Sequence, residues 1–310
     1  MPAPKTVIKS KYLTSTFQKY LGSKDIRTFK NNIYYYLIFR IIRNFLAYDL
    51  ILNIYDFKVF GSTKKNKTSY FLLKKCEFGD YHELNTIRKL SENNKILFLD
   101  CGCNYGFYSF YAASLKKDNF IISIEASKKT SEEFLKNLEL NNYNNIDFKN
   151  YAVSDLDNSD IEFNESENDW ESSQSHSNFK SFSTSNVKSI KIDTLIKNYN
   201  YEHYVPIIKL DIEGSEINAI LGGLEFIEKN SPLIIIEISK YIFENKDNID
   251  HLNNFLFKYD YTMYDTKNNK VNVDQILNKL NSLKKRYKTI GNYYLIKNSS
   301  KTLEAFLSNG

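Results

Sequence analysis

The sequence predicts an α/β fold: a doubly wound, mostly parallel sheet with helices on both faces. Three observations predict it. Short uninterrupted apolar runs such as "KILFLD" (95–100) and "PLIIIEI" (232–238) suit strands buried on both faces. Helical patterns separate these runs, and strand–helix alternation builds parallel βαβ units. Two of only ten glycines, Gly102 and Gly106, fall between the first run and its helix, where such sheets bind ligands.

The elements follow in order. Residues 1–94 read as an N-terminal extension. Its stretch "IYYYLIFRIIRNFLAYDLILNIY", Ile33 to Tyr55, suggests an amphipathic helix. Arg40, Arg43, Asn44 and Asp49 interrupt it, so it makes a poor membrane span; contact with a membrane surface stays open. A hairpin is expected next, with "DFKVF" and "SYFLL" as strands around the polar turn "GSTKKNKT".

Residues 95–310 read as the main domain. After "KILFLD" and the glycines, "FYSFYAASL" suits a buried helix, and "FIISIE" is a second strand. "TSEEFLKNLELNN" is a helix, with Thr130 and Glu133 spaced as a capping box and asparagines ending it. "IDFKNYAV" is a third strand and "PIIKLD" a fourth. The helix "SEINAILGGLEFIEKN" follows, with Ile217, Ile220, Leu221 and Leu224 on one face. Gly222 and Gly223 stand mid-helix, where close packing against the sheet is the expected reason. "PLIIIEI" is the fifth strand, and further strands are expected near Tyr261–Tyr264 and Tyr293–Ile296, with a polar helix from about Val273 to Arg286 between them. The stretch Ser154 to Ser189 is a polar insertion, disordered or functional, whose ends should reach the ligand-binding edge of the sheet.

Composition narrows the function. At 42% hydrophobic and 25% charged residues the chain is globular. A net charge of +5, from 42 basic and 37 acidic residues, is too mixed to specify nucleic acid. Cys76, Cys101 and Cys103 form no C-x-x-C, so no Cys/His zinc site is expected. Cys101 and Cys103 should be small, buried, reduced thiols pointing in opposite directions, which suits the cytoplasm. Met1–Tyr20 lacks the apolar core of a signal peptide.

The glycine spacing is G-x-x-x-G, with Asn104 inside the loop, and not the G-x-G-x-x-G of a dinucleotide site. Glu125 ends the second strand about twenty residues on, where a carboxylate can take a ribose diol. Asp100 ends the first strand; an acid there would repel a pyrophosphate but suit a cationic amino group. A nucleoside joined to an amino acid through a positive sulfur fits all three features, so the expected cofactor is S-adenosyl-L-methionine.

The stretches "FLDCGCNYGFYS", "ISIEAS", "NYAVSD", "IIKLDIEGSEINAILGG" and "PLIIIEI" resemble the FkbM-type family of S-adenosylmethionine-dependent methyltransferases, from about Lys95 to Ser239. Cys103 stands where that family's loop usually carries alanine. The resemblance implies a Rossmann-like, seven-stranded class I sheet with one strand antiparallel at the edge. It also implies O-methylation, often of sugar or natural-product hydroxyls. By the same analogy Asp100, Gly102, Asn104 and Gly106 should hold the amino-acid end of the cofactor and Glu125 the ribose. Val153 and Ser154 should border the adenine.

Candidate catalytic residues complete the list. Asp211 ends the fourth strand beside the expected transfer position, and Glu213 follows it. Glu216 reads as a helix N-terminal acid stabilised by the dipole. His176, in the insertion, is a candidate general base because its pKa lies near neutrality. Trp170 is a candidate stacking platform or loop anchor. A divalent metal is not expected, since no complete ligand set is visible. A glycan or small-molecule hydroxyl is the expected acceptor, and nucleic acid is disfavoured. The prolines, Pro2, Pro4, Pro206 and Pro232, form no N/D-P-P-Y/F motif of base-amine methylation. RNA ribose methylation and a non-catalytic or membrane-associated scaffold on the same fold remain the alternatives.

Overall fold

A computed structural model describes residues 49–62, 80–166, 181–284 and 288–298, with 300 and 306. Its centre is a sheet built from β3 (Ile96–Cys101), β4 (Phe120–Ile124), β5 (Ile146–Lys149), β9 (Val205–Leu210), β10 (Leu233–Ser239), β11 (Tyr261–Tyr264), β12 (Lys270–Val271) and β13 (Thr289–Lys297). The strand order is β12-β11-β13-β10-β9-β3-β4-β5. Neighbours from β10 to β5 are all parallel. The doubly wound α/β sheet read from the sequence is therefore present. The seven expected strands are joined by the two-residue β12 at one edge. The antiparallel strand expected at the edge is β13, and it lies inside, pairing with both β10 and β11. As an internal strand it supplies partners to backbone groups on both sides, and its Tyr293–Ile296 segment is fully buried.

Alternate side chains on each central strand feed two apolar layers. Ile96 and Phe98 of β3, Ile207 of β9 and Leu233 and Ile235 of β10 enter one layer. Helix α1 (Tyr81–Asn93) covers it with Leu84, Ile87 and Leu90, and α2 (Phe107–Leu115) with Tyr108 and Phe110. Leu97, Leu99, Ile208, Ile234 and Ile236 enter the other, against α4 (Ile192–Ile196), α5 (Glu216–Leu221), α6 (Leu224–Asn230), α7 (Asp247–Lys258) and α8 (Val273–Asn281). Full burial of each such side chain stabilises by about 1.5–3 kcal/mol. Cys101 joins the second layer and Cys103 the first, so the two thiols point in opposite directions. Both are free and buried.

Several local expectations are corrected. β1 (Asp49–Ile54) and β2 (Phe57–Ser62) form a hairpin around Tyr55 and Asp56. "FKVF" therefore pairs with the preceding segment, which the helix expected from Ile33 to Tyr55 had claimed; "SYFLL" and residues 33–48 lie outside the described residues. Two asparagines of α3 (Lys128–Asn141) bond the backbone of β2: Phe60 N donates to Asn137 Oδ1, and Lys58 N to Asn141 Oδ1, both at 2.7 Å. The N-cap of α3 is Ser127, whose hydroxyl accepts from Thr130 N at 3.1 Å, so the cap lies three residues before Thr130. Asn142 ends the helix in the left-handed region, as the asparagines suggested.

"IDFKNYAV" is two strands, not one. β5 belongs to the main sheet, and β6 (Ala152–Val153) to a second sheet of order β6-β8-β7. There β7 (Asp160–Ser166) and β8 (Ser181–Ile190) form an antiparallel hairpin, so the ends of the polar insertion are ordered strands. The helix through Gly222 and Gly223 is also two. α5 stops at Leu221 and α6 starts at Leu224, because the backbone passes close to Ser154: a Cβ on Gly222 would lie 2.1 Å from the Ser154 carbonyl oxygen. Among the described residues no helix is long and apolar enough to cross a membrane.

Candidate active site

The glycine loop leaves β3 at Cys101 and enters α2 at Phe107. Gly102 and Gly106 have φ of +81° and +86°, and Asn104 has +50°, so the loop needs three left-handed residues in five. A Cβ on Gly102 would stand 1.9 Å from the Asp211 carbonyl oxygen. That glycine therefore serves a close approach between the loop and the end of β9, and not only the turn.

Glu125 fixes the loop from the neighbouring strand. Its Oε2 accepts from Asn104 N and its Oε1 from Ser127 N, both at 2.9 Å. Gly102 N and Cys103 N both donate to Ile124 O. Tyr105 N donates to Asn104 Oδ1, so the asparagine closes its own turn.

Asp100 is fully buried. Its Oδ2 accepts from Ser109 Oγ at 2.6 Å, and Ser123 Oγ donates to Ser109. Its Oδ1 has no hydrogen-bond partner among the described residues. Burial pushes its pKa up, against Lys209 and Ser109, which favour the anion. A buried, unanswered acceptor beside the glycine loop is the position an ammonium group of a ligand would satisfy.

Beyond Asp100, the alternation of β9 and β10 places Lys209, Asp211 and Glu237 on the same face of the sheet. Lys209 pairs in register with Asp100 on one side and Ile235 on the other. It is buried, its Nζ 2.7 Å from Asp211 Oδ2 and 4.6 Å from the centre of the Tyr108 ring. Burial alone would lower its pKa; Asp211 and Asp100 outweigh that and hold the ammonium above the ordinary lysine value. One oxygen each of Asp211, Glu213 and Glu237 lies within 4.8 Å of the others. A cation could bridge three carboxylates at that distance, but Lys209 already supplies Asp211 with a positive charge. Glu216 caps the turn before α5: it accepts from Ile212 N and Gly214 N at 3.0 and 2.9 Å. Its burial pushes its pKa up to about 7 despite those bonds. The N-terminal placement expected of it holds, and its work is to close the loop carrying Glu213, whose φ is +53°.

The structure thus joins Gly102, Asn104, Gly106 and Glu125 in one bonded loop at the end of the strand that carries Asp100. Lys209, beside Asp100 in register, pairs with Asp211, which lies near Glu213. Val153 ends β6 and Ser154 directly follows it. The Val153 side chain is packed in the core, and the Ser154 carbonyl is covered by Gly222. His176 and Trp170 lie outside the described residues. The sequence reading missed Lys209 and Glu237. The signal was there: a charge inside an apolar run destined for a central strand is expensive and needs a reason.

The methyltransferase FkbM domain matches residues 100–263, more than half of the chain. No curated protein sequence matches. Among solved structures, a methyltransferase FkbM from Methylobacillus flagellatus KT is 19% identical, with a TM-score of 0.40 over 73% of this chain and 52% of that one. The chain thus spans about half the length of that protein. An rRNA methylase from Streptococcus thermophilus is 10% identical, with a TM-score of 0.40 over 71% of this chain and 97% of that one. M. jannaschii TYW2, solved in complex with AdoMet, is 10% identical, with a TM-score of 0.36 over 81% of this chain and 87% of that one. With the domain match spanning the glycine loop, the acids beyond β9 and the strand that carries Glu237, the chain belongs to the FkbM methyltransferase family.

Proposed function

We propose that this chain is an S-adenosyl-L-methionine-dependent O-methyltransferase acting on an uncharged hydroxyl, of a sugar, a glycan or a similar small molecule. The observation that carries the cofactor is the unpartnered, buried Oδ1 of Asp100 beside the glycine loop. It fits the ammonium of the cofactor's amino-acid end, while Glu125, at the end of the next strand and bonded to the glycine loop, is the carboxylate placed for the ribose. The bound cofactor would supply a methyl group already activated by a sulfonium. The protein's part is to hold that group and the acceptor in line and to remove the acceptor's proton. Asp211 and Glu213 flank that position.

The charge of the site favours a neutral acceptor. Asp211, Glu213 and Glu237 converge, and Lys209 is already paired with Asp211. A phosphodiester would meet carboxylates there instead of the basic groups that hold phosphates. This supports a small-molecule or glycan hydroxyl over RNA ribose. A cytoplasmic location belongs to the same reading and rests on the free, buried Cys101 and Cys103.

Calorimetric titration of the full chain with S-adenosylmethionine tests the proposal, with NAD as the control. Binding is expected for the first and not the second. Glu125→Ala should lose binding, and Glu125→Gln, which can still accept one backbone N–H, should retain part of it. Absence of binding to the intact chain would sink the proposal and favour a non-catalytic scaffold.

A further inference from the structure

Glu237 is an acid in the middle of the apolar run "LIIIEIS". β10 is a central strand, and Glu237 is the one residue along it that is not fully enclosed. Its neighbours on the same face show what surrounds it. From β9 and the turn beyond come Lys209, Asp211, Glu213 and Glu216. From β13 comes Asn292, its cross-strand partner.

The acids of this site differ in what occupies their oxygens. Glu125 and Glu216 each use both oxygens on backbone N–H groups. Asp100 takes Ser109, and Asp211 takes Lys209. Glu237 alone of these five has no hydrogen bond or ion pair at either oxygen among the described residues. Yet one of its oxygens stands within 4.8 Å of an oxygen of Asp211 and of Glu213. A carboxylate in that position gains from taking a proton, because protonation removes a negative charge from a crowded group of three. Burial and the repulsion of Asp211 and Glu213 raise its pKa well above the ordinary carboxylate value.

We infer that Glu237 is the general base of the methyl-transfer reaction, taking the proton of the acceptor hydroxyl. The inference rests on the methyltransferase reading above. The acceptor oxygen forms a bond to the methyl carbon as the carbon–sulfur bond breaks. The bonding pair goes to sulfur, and the acceptor's proton goes to a Glu237 oxygen and then to water. Lys209 holds Asp211 as an anion beside it, which keeps Glu237 basic. This gives Glu237 the role that sequence reading offered to His176, with the base on a rigid strand and not on an insertion.

The test compares the full-length wild type with Glu237→Gln and Glu237→Asp. Calorimetry with S-adenosylmethionine comes first. Equal binding by all three is expected, and it verifies that the variants are folded. Failure of the wild type to bind would remove the reading beneath the inference, and is distinguished by that result. Infrared difference spectra across a pH titration then follow the protonated carboxyl band, with no acceptor needed. One carboxyl titrating above the ordinary carboxylate range, besides that of Glu216, should vanish in Glu237→Gln and persist, shifted, in Glu237→Asp. Methyl transfer from labelled cofactor to glycerol, to p-nitrophenyl hexosides and to solvent water is the last readout. Glu237→Gln should slow every transfer detected by about 100- to 10,000-fold, as expected for loss of a positioned base. Its rate should also lose the rise with pH. A carboxyl band unchanged in Glu237→Gln, or transfer at the wild-type rate, overturns the inference.

Discussion

Gly102→Ala separates two reasons for a glycine. At φ +81° any side chain is strained, by about 1–2 kcal/mol. The added Cβ would also sit 1.9 Å from the Asp211 carbonyl oxygen and 2.8 Å from its carbon. Those atoms are backbone at the end of a central strand and cannot rotate away, and overpacking of this kind costs about 1–3 kcal/mol. Together the two effects come to about 2–5 kcal/mol. At about 2–4 °C per kcal/mol, the melting temperature should fall by roughly 5–20 °C. Two other glycines isolate the parts. Gly291 has φ +98° with nothing within 4 Å of its Cβ position, so Gly291→Ala should show only the conformational cost. Gly222 has a helical φ of −76°, but its Cβ would lie 2.1 Å from Ser154 O, so Gly222→Ala should show only the contact cost. Differential scanning calorimetry of the three variants measures each. Calorimetric binding should show Gly102→Ala alone losing S-adenosylmethionine, because the loop must back away from β9. If Gly102→Ala costs no more than Gly291→Ala, the close approach to Asp211 is not what demands glycine, and the reasoning fails.

Two further outcomes follow from charges the site buries. Glu216 has its pKa raised from 4.5 to about 7, so the folded chain holds a proton there that the unfolded chain has released. Its contribution to stability is full below about pH 4.5 and is lost as pH rises through about 7, up to about 3 kcal/mol. Urea midpoints across that range should lose one proton's worth of slope in Glu216→Gln; an unchanged slope would refute the assignment. Lys209→Met removes the cation between Asp100 and Asp211 and should destabilise by about 3 kcal/mol, since it leaves buried charge uncompensated. Adding Asp211→Asn should restore part of that in urea unfolding; if the double variant is no better than the single one, the pair is not coupled.

The central strands were legible because buried parallel strands are written as apolar runs, and β3, β4, β9 and β10 all are. The glycine loop was legible for a local reason too: Gly102, Asn104 and Gly106 are the residue types that tolerate left-handed backbone, and all three adopt it. Elements whose partner had to be chosen were not legible. "FKVF" has apolar neighbours on both sides in sequence, and its pairing with β1 shows only in the tertiary structure, where Asn137 and Asn141 of α3 bond its backbone. "IDFKNYAV" carries no mark at the point where it leaves one sheet for another. Nothing local to Gly222 reports that the Ser154 carbonyl, far away in sequence, will lie against it.

The site divides along the same line. The sequence by itself determined the doubly wound sheet, the strand-end acids Asp100 and Glu125, and the turn that lies between them. These depend on residue type and on spacing within one βαβ unit. The tertiary structure decided that Glu125 holds the loop through Asn104 N, and that Glu237 meets Asp211 and Glu213. Those meetings depend on strand order and on which face each residue takes. Neither is carried by local periodicity, and both are fixed only when the strands pair.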